Sequence, residues 1–327
     1  MVKVIIAITT YNLEKYISQA LDSVLMQKTK FEYIVRIADD CSTDNTIEIL
    51  QDYKCRYPNK IELLFADNNM GSLANSNRLF DHIDCEYFTF LDGDDYWVGE
   101  NRLQQQVDFL DSHPEYIMTG GNTQLLRNNE LKELQLDKRM LGRTFYFSDY
   151  VNGQMPCVVH TSSILLRNVI FKNGIPSCSK ELVGTFEECA VRGEDFRRLI
   201  HLQKGPIYVD NQILSVYRIH SDGTWQGSSL LRVYLETAIS YNFYIKYFGE
   251  QYEGFFRSKL EWSYNNVMSF LLSNKLIFSQ NRLPSKDAIL FGGLLIDMAQ
   301  NNGASFNLAY HKFKMHFFKY LLKYGLL

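Results

Sequence analysis

The sequence has no apolar run long enough to cross a bilayer. Its longest uninterrupted stretch, around Ile289 to Ile296, falls far short of the roughly 20 residues a spanning helix needs. It also lacks any Cys-x-x-Cys pair. The six cysteines (Cys41, Cys55, Cys85, Cys157, Cys178, Cys189) show no zinc-like spacing and are expected to be reduced thiols without a catalytic part. Neither a Walker loop nor a Gly-x-Gly-x-x-Gly turn follows the first apolar run, where TTYN (9–12) stands instead, so the common glycine-rich phosphate cradles are excluded. The opening MVKVIIAITTYN holds a five-residue apolar run, too short for the h-region of a signal peptide, and a cytoplasmic protein is expected. No internal repeat or low-complexity segment is present.

What is present is enough apolar content, 46% of 327 residues, to fill a sizeable core in one large domain or two. Charge is spread unevenly. From Leu230 onward there are 11 Lys plus Arg against 6 Asp plus Glu, and before it 23 against 31. A basic tail on an acidic body predicts two parts with different partners.

The first hundred residues alternate two patterns. VKVIIAI (2–8), FEYIVRIA (31–38), IELLFA (61–66) and EYFTFL (86–91) are short β-branched and aromatic runs that predict strands. Helices are predicted between them. One starts near Asn12 with an apolar stripe of Tyr16, Ile17, Ala20, Leu21, Val24 and Leu25; one starts at the cap residues Ser42 and Thr43; one starts at Ser72. Such alternation implies a mostly parallel sheet. The runs end in TTYN, DDCSTDN, DNNMGS and DGDD, and in an open parallel sheet such loops gather at the carboxyl edge, where ligands bind. Further on, a helix ends near His113-Pro114, strands are predicted at SSILLR (162–167), PIYVD (206–210) and ILSVYRI (213–219), and a helix over 192–203. Beyond Trp225 the pattern is helical and aromatic-rich.

FLDGDDYW (90–97) packs Asp92, Asp94 and Asp95 into four residues. Unit charges 4 Å apart interact by about 1 kcal/mol in water and about 4 kcal/mol at an effective dielectric near 20. Three anions at a sheet edge therefore repel one another unless a cation sits among them. An oxygen-ligated Mg²⁺ or Mn²⁺ would relieve the repulsion and bridge a diphosphate; an acidic, solvated turn would also account for the composition. An EF-hand loop from Asp92 is excluded, since Trp97 and Leu103 stand where Gly and Glu are required.

VIIAITTYNLEKYISQALDSVLMQ, ADDCSTDNT, NNMGSLANSN and FLDGDDYW, in that order and spacing, resemble an inverting family 2 glycosyltransferase of the GT-A fold, of the bacterial surface-polysaccharide type. RLQQQVDFLDSHPE, HTSSILLRN, RGEDFRRLIHLQKG and YRIHSDGTW continue the resemblance over roughly the first 225 residues. It implies an α/β GT-A catalytic domain at 1–225 and a helical C-terminal region at 226–327. The implied reaction moves a sugar from a nucleotide-diphosphate donor, a UDP-sugar, to a hydroxyl of a glycan or lipid-linked glycan, with Mn²⁺ or Mg²⁺ as cofactor.

The resemblance also implies roles for single residues. Thr9, Tyr11, Asp39, Asn77, Asp92 and Asp94 would contact the nucleotide sugar, with Tyr11 able to stack on a base and Asp39 to accept an N–H from it. Asp94, with Asp95 as the alternative carboxylate and His220, would hold the metal. Of Glu194 and Asp195, Asp195 would be the catalytic base; an acid in a first helical turn is also an ordinary cap, held anionic by about 0.3 to 1 kcal/mol of dipole interaction. His220 is equally readable as a surface or core histidine, Asn12 as a helix N-cap, and Trp97 and His160 as acceptor-pocket lining or as packing. Two departures stand out: Ser76 occupies the place of an Arg that commonly precedes Asn77, and Cys41 the place of a Gly.

In the tail, YHKFKMHFFKYLLKYGLL would put Lys312, His316, Lys319 and Lys323 on one helical face and Phe313, Phe317, Tyr320, Leu321 and Tyr324 on the other. Such a helix could lie on the inner face of the cytoplasmic membrane, with Lys314 interrupting the apolar side, or pack on the catalytic domain or a homodimer partner. Two other classes compete with the transferase. One is a sugar nucleotidyltransferase, which would resemble a chain with a glycine-rich first loop. The other is a non-catalytic, membrane-associated scaffold, against which the acids at 39, 92, 94 and 195 argue. No nucleic-acid partner is expected.

Overall fold

The structure is a computed structural model that describes residues 2–80, 83–155, 159–192, 194–220, 229–273 and 285–301. The chain divides into two compact units, Met1–Gly227 and Ser228–Leu327.

The first unit begins with the expected alternation: β1 (Val2–Thr10), α1 (Ile17–Leu25), β2 (Tyr33–Asp39), α2 (Thr46–Arg56), β3 (Ile61–Phe65), α3 (Ser72–Phe80) and β4 (Cys85–Asp92). The short β5 (Tyr96–Trp97) and α4 (Arg102–Ser112) follow. Then come β6 (Met118–Arg127), β7 (Glu130–Leu134), β8 (Arg143–Phe145), α5 (Phe147–Val151), β9 (Leu165–Arg167), α6 (Ser177–Glu181), α7 (Glu188–Arg192), α8 (Glu194–Leu202) and β10 (Ile207–Ile219). One sheet runs in the order β3-β2-β1-β4-β9-β6-β10-β5, with β7 beside β6 and β8 beside β10. Its first four strands are mutually parallel; β9 joins β4 and β6 antiparallel, while β6 and β10 are parallel to each other.

The apolar runs become strands because both their faces are covered. Val4, Ile6 and Ile8 of β1 and Val35 and Ile37 of β2 are fully buried, packed with Ile17, Ala20, Leu21 and Val24 of α1. Each such side chain removed from water contributes about 1.5 to 3 kcal/mol. Because the first four strands are parallel and in register (Thr10 beside Asp39, Thr9 beside Asp92, Asp39 beside Phe65), their polar ends finish on one edge.

α3 begins at Ser72 as expected, whereas the starts of α1 and α2 differ from the sequence reading, and for one reason. The cap residues tie neighbouring loops together instead. Asn12 does not cap α1, which begins at Ile17; it sits at a left-handed φ of 53°, and its Oδ1 accepts the Thr43 N–H at 2.7 Å. The Ser42 hydroxyl accepts the Asn12 N–H at 2.9 Å, and α2 begins only at Thr46. PIYVD and ILSVYRI form one strand, β10, whose pairing with β6 shifts register between Val209 and Ser215. Irregular pairing of this kind bends a strand without ending it.

The second unit contains α9 (Leu230–Phe248), α10 (Glu253–Ser273) and α11 (Ser285–Asn301). Phe248 stacks on Phe256 with centroids 5.4 Å apart, and Lys246 of α9 pairs with Asp297 of α11 at 2.6 Å. No helix among the described residues is long and apolar enough to cross a membrane. The tail segment expected to form a basic amphipathic helix lies outside the described residues.

His201 of α8 is fully buried beside Phe88 and Phe171. Its Nδ1 lies 2.6 Å from the Arg197 carbonyl, which can only accept, so Nδ1 carries the proton; Nε2 is buried without a partner. Burial lowers the imidazole from its ordinary 6.5 to about 4. The unfolded chain thus takes up this proton first on acidification, and stability is lost as pH falls from about 6.5 to about 4. His201→Phe is expected to reduce the drop in melting temperature between pH 7 and pH 4.5; an unchanged drop would count against this account.

Candidate functional site

The site is built on the end of β4. In the turn after it, Gly93 is the residue that allows the chain to close: a Cβ there would lie 2.9 Å from Leu13 Cδ1 and 3.0 Å from the Thr9 carbonyl. The Gly93 N–H donates to that same carbonyl at 3.2 Å, and Asp95 N–H to the Asp92 carbonyl at 3.0 Å. This tight turn sends the three carboxylates in different directions.

Asp92 reaches solvent, with Thr9 Oγ1 3.4 Å from its Oδ1. Protein nevertheless crowds it, and burial followed by the Asp94 charge pushes it up to about 7. Asp94 meets His220, with Nε2 and Oδ2 2.9 Å apart, and its carbonyl accepts from Arg218 Nε at 2.9 Å. Asp95 is 1% exposed and turns inward. Its Oδ1 accepts the Arg218 N–H at 2.9 Å, whereas Oδ2 is buried with no hydrogen-bond partner among the described residues, 3.9 Å from His160 Nδ1. Burial and the charges of Asp94 and Asp92 raise Asp95 well above the ordinary carboxylate range.

Of the predicted metal residues, Asp94 and His220 are therefore in contact, and Asp95 belongs to the same turn. Among the described residues no three His, Cys, Asp or Glu donors already converge as a closed cage. The donor set still suits a hard divalent cation: an orphaned carboxylate oxygen on Asp95 and two acids pushed upward by their neighbours form a cluster short of positive charge.

The other predicted residues have defined places. Asp39 is 1% exposed and is bound by its own loop, accepting the Ser42 N–H at 2.8 Å and the Ser42 hydroxyl at 2.5 Å. Tyr11 is 45% exposed at the same edge, free to stack on a planar ligand. Asn77 lies on α3, and its amide donates to the Ser179 carbonyl at 2.7 Å, tying α3 to α6. Trp97 is core: 2% exposed, its indole lies 3.9 Å beneath the Arg102 guanidinium.

At the start of α8, Glu194 and Asp195 separate. Glu194 accepts the Thr161 N–H at 2.8 Å and lies 3.1 Å from Arg198 Nη1. Burial acts to raise it, but Arg198 and His160 bring it below the ordinary value. Its charge is felt by Asp92, Asp95, His160 and Tyr217, so it belongs to the cluster. Asp195 pairs with Arg198, and its side chain is 53% exposed.

Sequence reading left three groups unassigned. Tyr217 lies tilted against His160 with ring centroids 4.7 Å apart, and burial with the charges of Asp95 and Asp94 pushes its phenol up to about 12. Arg218 binds Asp94 and Asp95 as described and reaches Gln19 at 2.6 Å. Arg197 lies over the Phe90 ring, 3.6 Å from its centroid. The only signal for these was position: Tyr217 and Arg218 three and two residues before His220, and Arg197 one helical turn after Glu194.

Residues 5–172 match the model of glycosyl transferase family 2. An uncharacterized protein of Mycobacterium tuberculosis is 27% identical over 219 residues, 67% of this chain and 59% of that protein, so the match spans well under two thirds of the relative's length. The poly(ribitol-phosphate) beta-N-acetylglucosaminyltransferase TarS of Staphylococcus aureus is 29% identical over 178 residues, 52% of this chain and 30% of TarS. The structure of TarS residues 1–349 with UDP superimposes with a TM-score of 0.59 at 18% identity, over 92% of this chain and 81% of that one. A mannosyltransferase from Pyrobaculum calidifontis, in complex with GDP-Man and Mn²⁺, gives 0.53 at 14% identity, over 96% and 84%. These likenesses identify the fold as GT-A, with the helical region following it. Given the motif order, the carboxylate edge and the matched residues, the chain belongs to glycosyl transferase family 2.

Proposed function

We propose that this protein is an inverting glycosyltransferase that moves a sugar from a UDP-sugar to a hydroxyl of a glycan or lipid-linked glycan. The observation that carries the reading is the charge-deficient cluster of Asp92, Asp94 and Asp95 at the carboxyl edge of a parallel sheet, with the Asp95 Oδ2 orphaned. Family membership supports transfer from a nucleotide sugar, and the UDP bound to TarS supports the choice of base.

In this reading Tyr11 and Asp39 receive the nucleotide base, and Asp92 the ribose. Asp94, Asp95 and His220 would hold Mn²⁺ or Mg²⁺, which when bound supplies positive charge to the leaving diphosphate. Asp195 takes the proton of the acceptor hydroxyl as that oxygen attacks the anomeric carbon from the face opposite the diphosphate. The glycosidic bond forms as the bond to the diphosphate oxygen breaks, and an α-linked donor yields a β-linked product. Glu194, tied to the Thr161 N–H and Arg198, holds the start of α8 in place.

A second reading exchanges the two acids of α8. It is favoured by Glu194 being the one whose charge acts on the cluster, although Arg198 pairs with both acids. Comparing Asp195→Asn with Glu194→Gln separates the readings: with Asp195 as base, Asp195→Asn lowers transfer by about 10² or more while UDP affinity stays within a few-fold. Near-full transfer by Asp195→Asn, with collapse in Glu194→Gln, would reverse the assignment.

The reaction class itself is tested by a panel of UDP- and GDP-sugars with Mn²⁺ or Mg²⁺, read as slow donor hydrolysis. At least one donor should be hydrolysed, and Asp94→Ala should weaken metal-dependent UDP binding at least tenfold. No donor bound or hydrolysed with metal present would defeat the proposal.

The basic, aromatic segment 309–327 further supports peripheral contact with an anionic membrane surface, where a lipid-linked acceptor would be presented. The full chain should then sediment with phosphatidylglycerol-containing liposomes, and a chain lacking that segment should not; equal sedimentation of both would remove this part.

A further inference from the structure

Arg197 is placed differently from the other two arginines of the site. Arg198 donates to the Val159 carbonyl at 2.6 Å and pairs with Glu194 and Asp195; Arg218 donates to the Asp94 carbonyl and to Gln19. Among the described residues the guanidinium of Arg197 makes no hydrogen bond and no ion pair, and none of its nitrogens is sealed from solvent. Its plane is nonetheless held, stacked on Phe90 at 3.6 Å with Phe80 at 5.8 Å.

Phe90 and Asp92 are two apart on β4 and so share a face of the strand, which sets Arg197 beside the Asp92 carboxylate. On α8 it stands one turn from Glu194. The charges of both acids act on it, while that of Asp94, on the His220 side, does not figure among its influences. Glu194 already has Arg198 as its ion-pair partner. Burial brings Arg197 down to about 10, so it stays charged at pH 7. Its donors reach solvent and meet no acceptor among the described residues, so a ligand that accepts from them displaces water and breaks no existing protein contact. A rigid planar fork selects a carboxylate or phosphate, which it can bind through two parallel bonds.

We infer that Arg197 is a specificity-determining residue of the transfer site that binds an anionic substituent, a carboxylate or a phosphate, on the substrate away from the donor diphosphate. The inference rests on the transferase reading above. The anion has two possible sources, the transferred sugar or the acceptor, and the chemistry of recognition is the same for both.

Two matched pairs of probes distinguish them in the presence of Mn²⁺. On the donor side, KM for slow hydrolysis is compared for UDP-glucuronate and UDP-glucose. On the acceptor side, binding of ribitol 5-phosphate and of ribitol to the UDP-loaded protein is compared by calorimetry. The native protein should favour the charged member of one pair by about tenfold or more. Arg197→Met, which keeps the aliphatic stem over Phe90, should abolish that preference, and Arg197→Lys should restore part of it. UDP affinity and melting temperature should stay close to native in both variants. No charge preference in either pair, a preference that survives Arg197→Met, or a matching loss of UDP affinity in that variant would each overturn the inference. If the native protein binds no UDP at all, the transferase reading falls as well, which separates the two failures.

Discussion

The arrangement of this protein depends on the repulsion among carboxylates gathered at one edge of a sheet. Asp92 and Asp95 are pushed upward by burial and by the neighbouring charges of Asp94 and Glu194. Each neighbouring element contributes something that holds the cluster together. The backbone of Arg218 and its guanidinium fasten Asp95 and Asp94, His220 faces Asp94, and Arg198 with the Thr161 N–H holds Glu194. Those groups come from β10, the segment after it, α8 and the loop before β9, so the part of the sheet beyond β4 has a local electrostatic purpose.

The first half of the sheet supplies rigidity to the same edge. Parallel register brings four loop ends together, and the loops then bind one another rather than cap their own helices. Asp39 is occupied by Ser42, Asn12 by Thr43, and Asp40 accepts the Met70 and Gly71 N–H groups at 2.8 and 3.0 Å. Backbone N–H groups thus supply the hydrogen bonds of these buried carboxylates. Asp95, with one oxygen unpaired, is the exception that marks where a ligand's charge is needed.

Much of the first unit was legible in the sequence. β1 to β4 fall within a few residues of the apolar runs, since strands buried on both faces must be continuous and apolar. β6 was not foreseen, because Gly120 and Gly121 lie in its middle and break the pattern. A Cβ on Gly120 would lie 2.8 Å from Val159 and one on Gly121 2.6 Å from the Gln212 carbonyl, so close packing, invisible in a linear sequence, requires them. Trp97 and His160 could not be sorted by residue type. Burial beside Arg102 assigns Trp97 to the core, and a 3.9 Å approach to Asp95 brings His160 to the site.

By itself, the sequence determined the order of strands and helices, the acidic turn after the fourth strand and the family to which these motifs belong, since all three are local patterns of polarity and spacing. Only the tertiary structure decided which charges meet. The three aspartates of one turn point apart because Gly93 lets the backbone pass against Thr9, and of Glu194 and Asp195, which share Arg198, only Glu194 also accepts the Thr161 N–H. Arg197 is turned toward Asp92 by the face of a phenylalanine on a distant strand. Electrostatic interaction depends on separation and burial in three dimensions, and neither can be read from spacing along the chain.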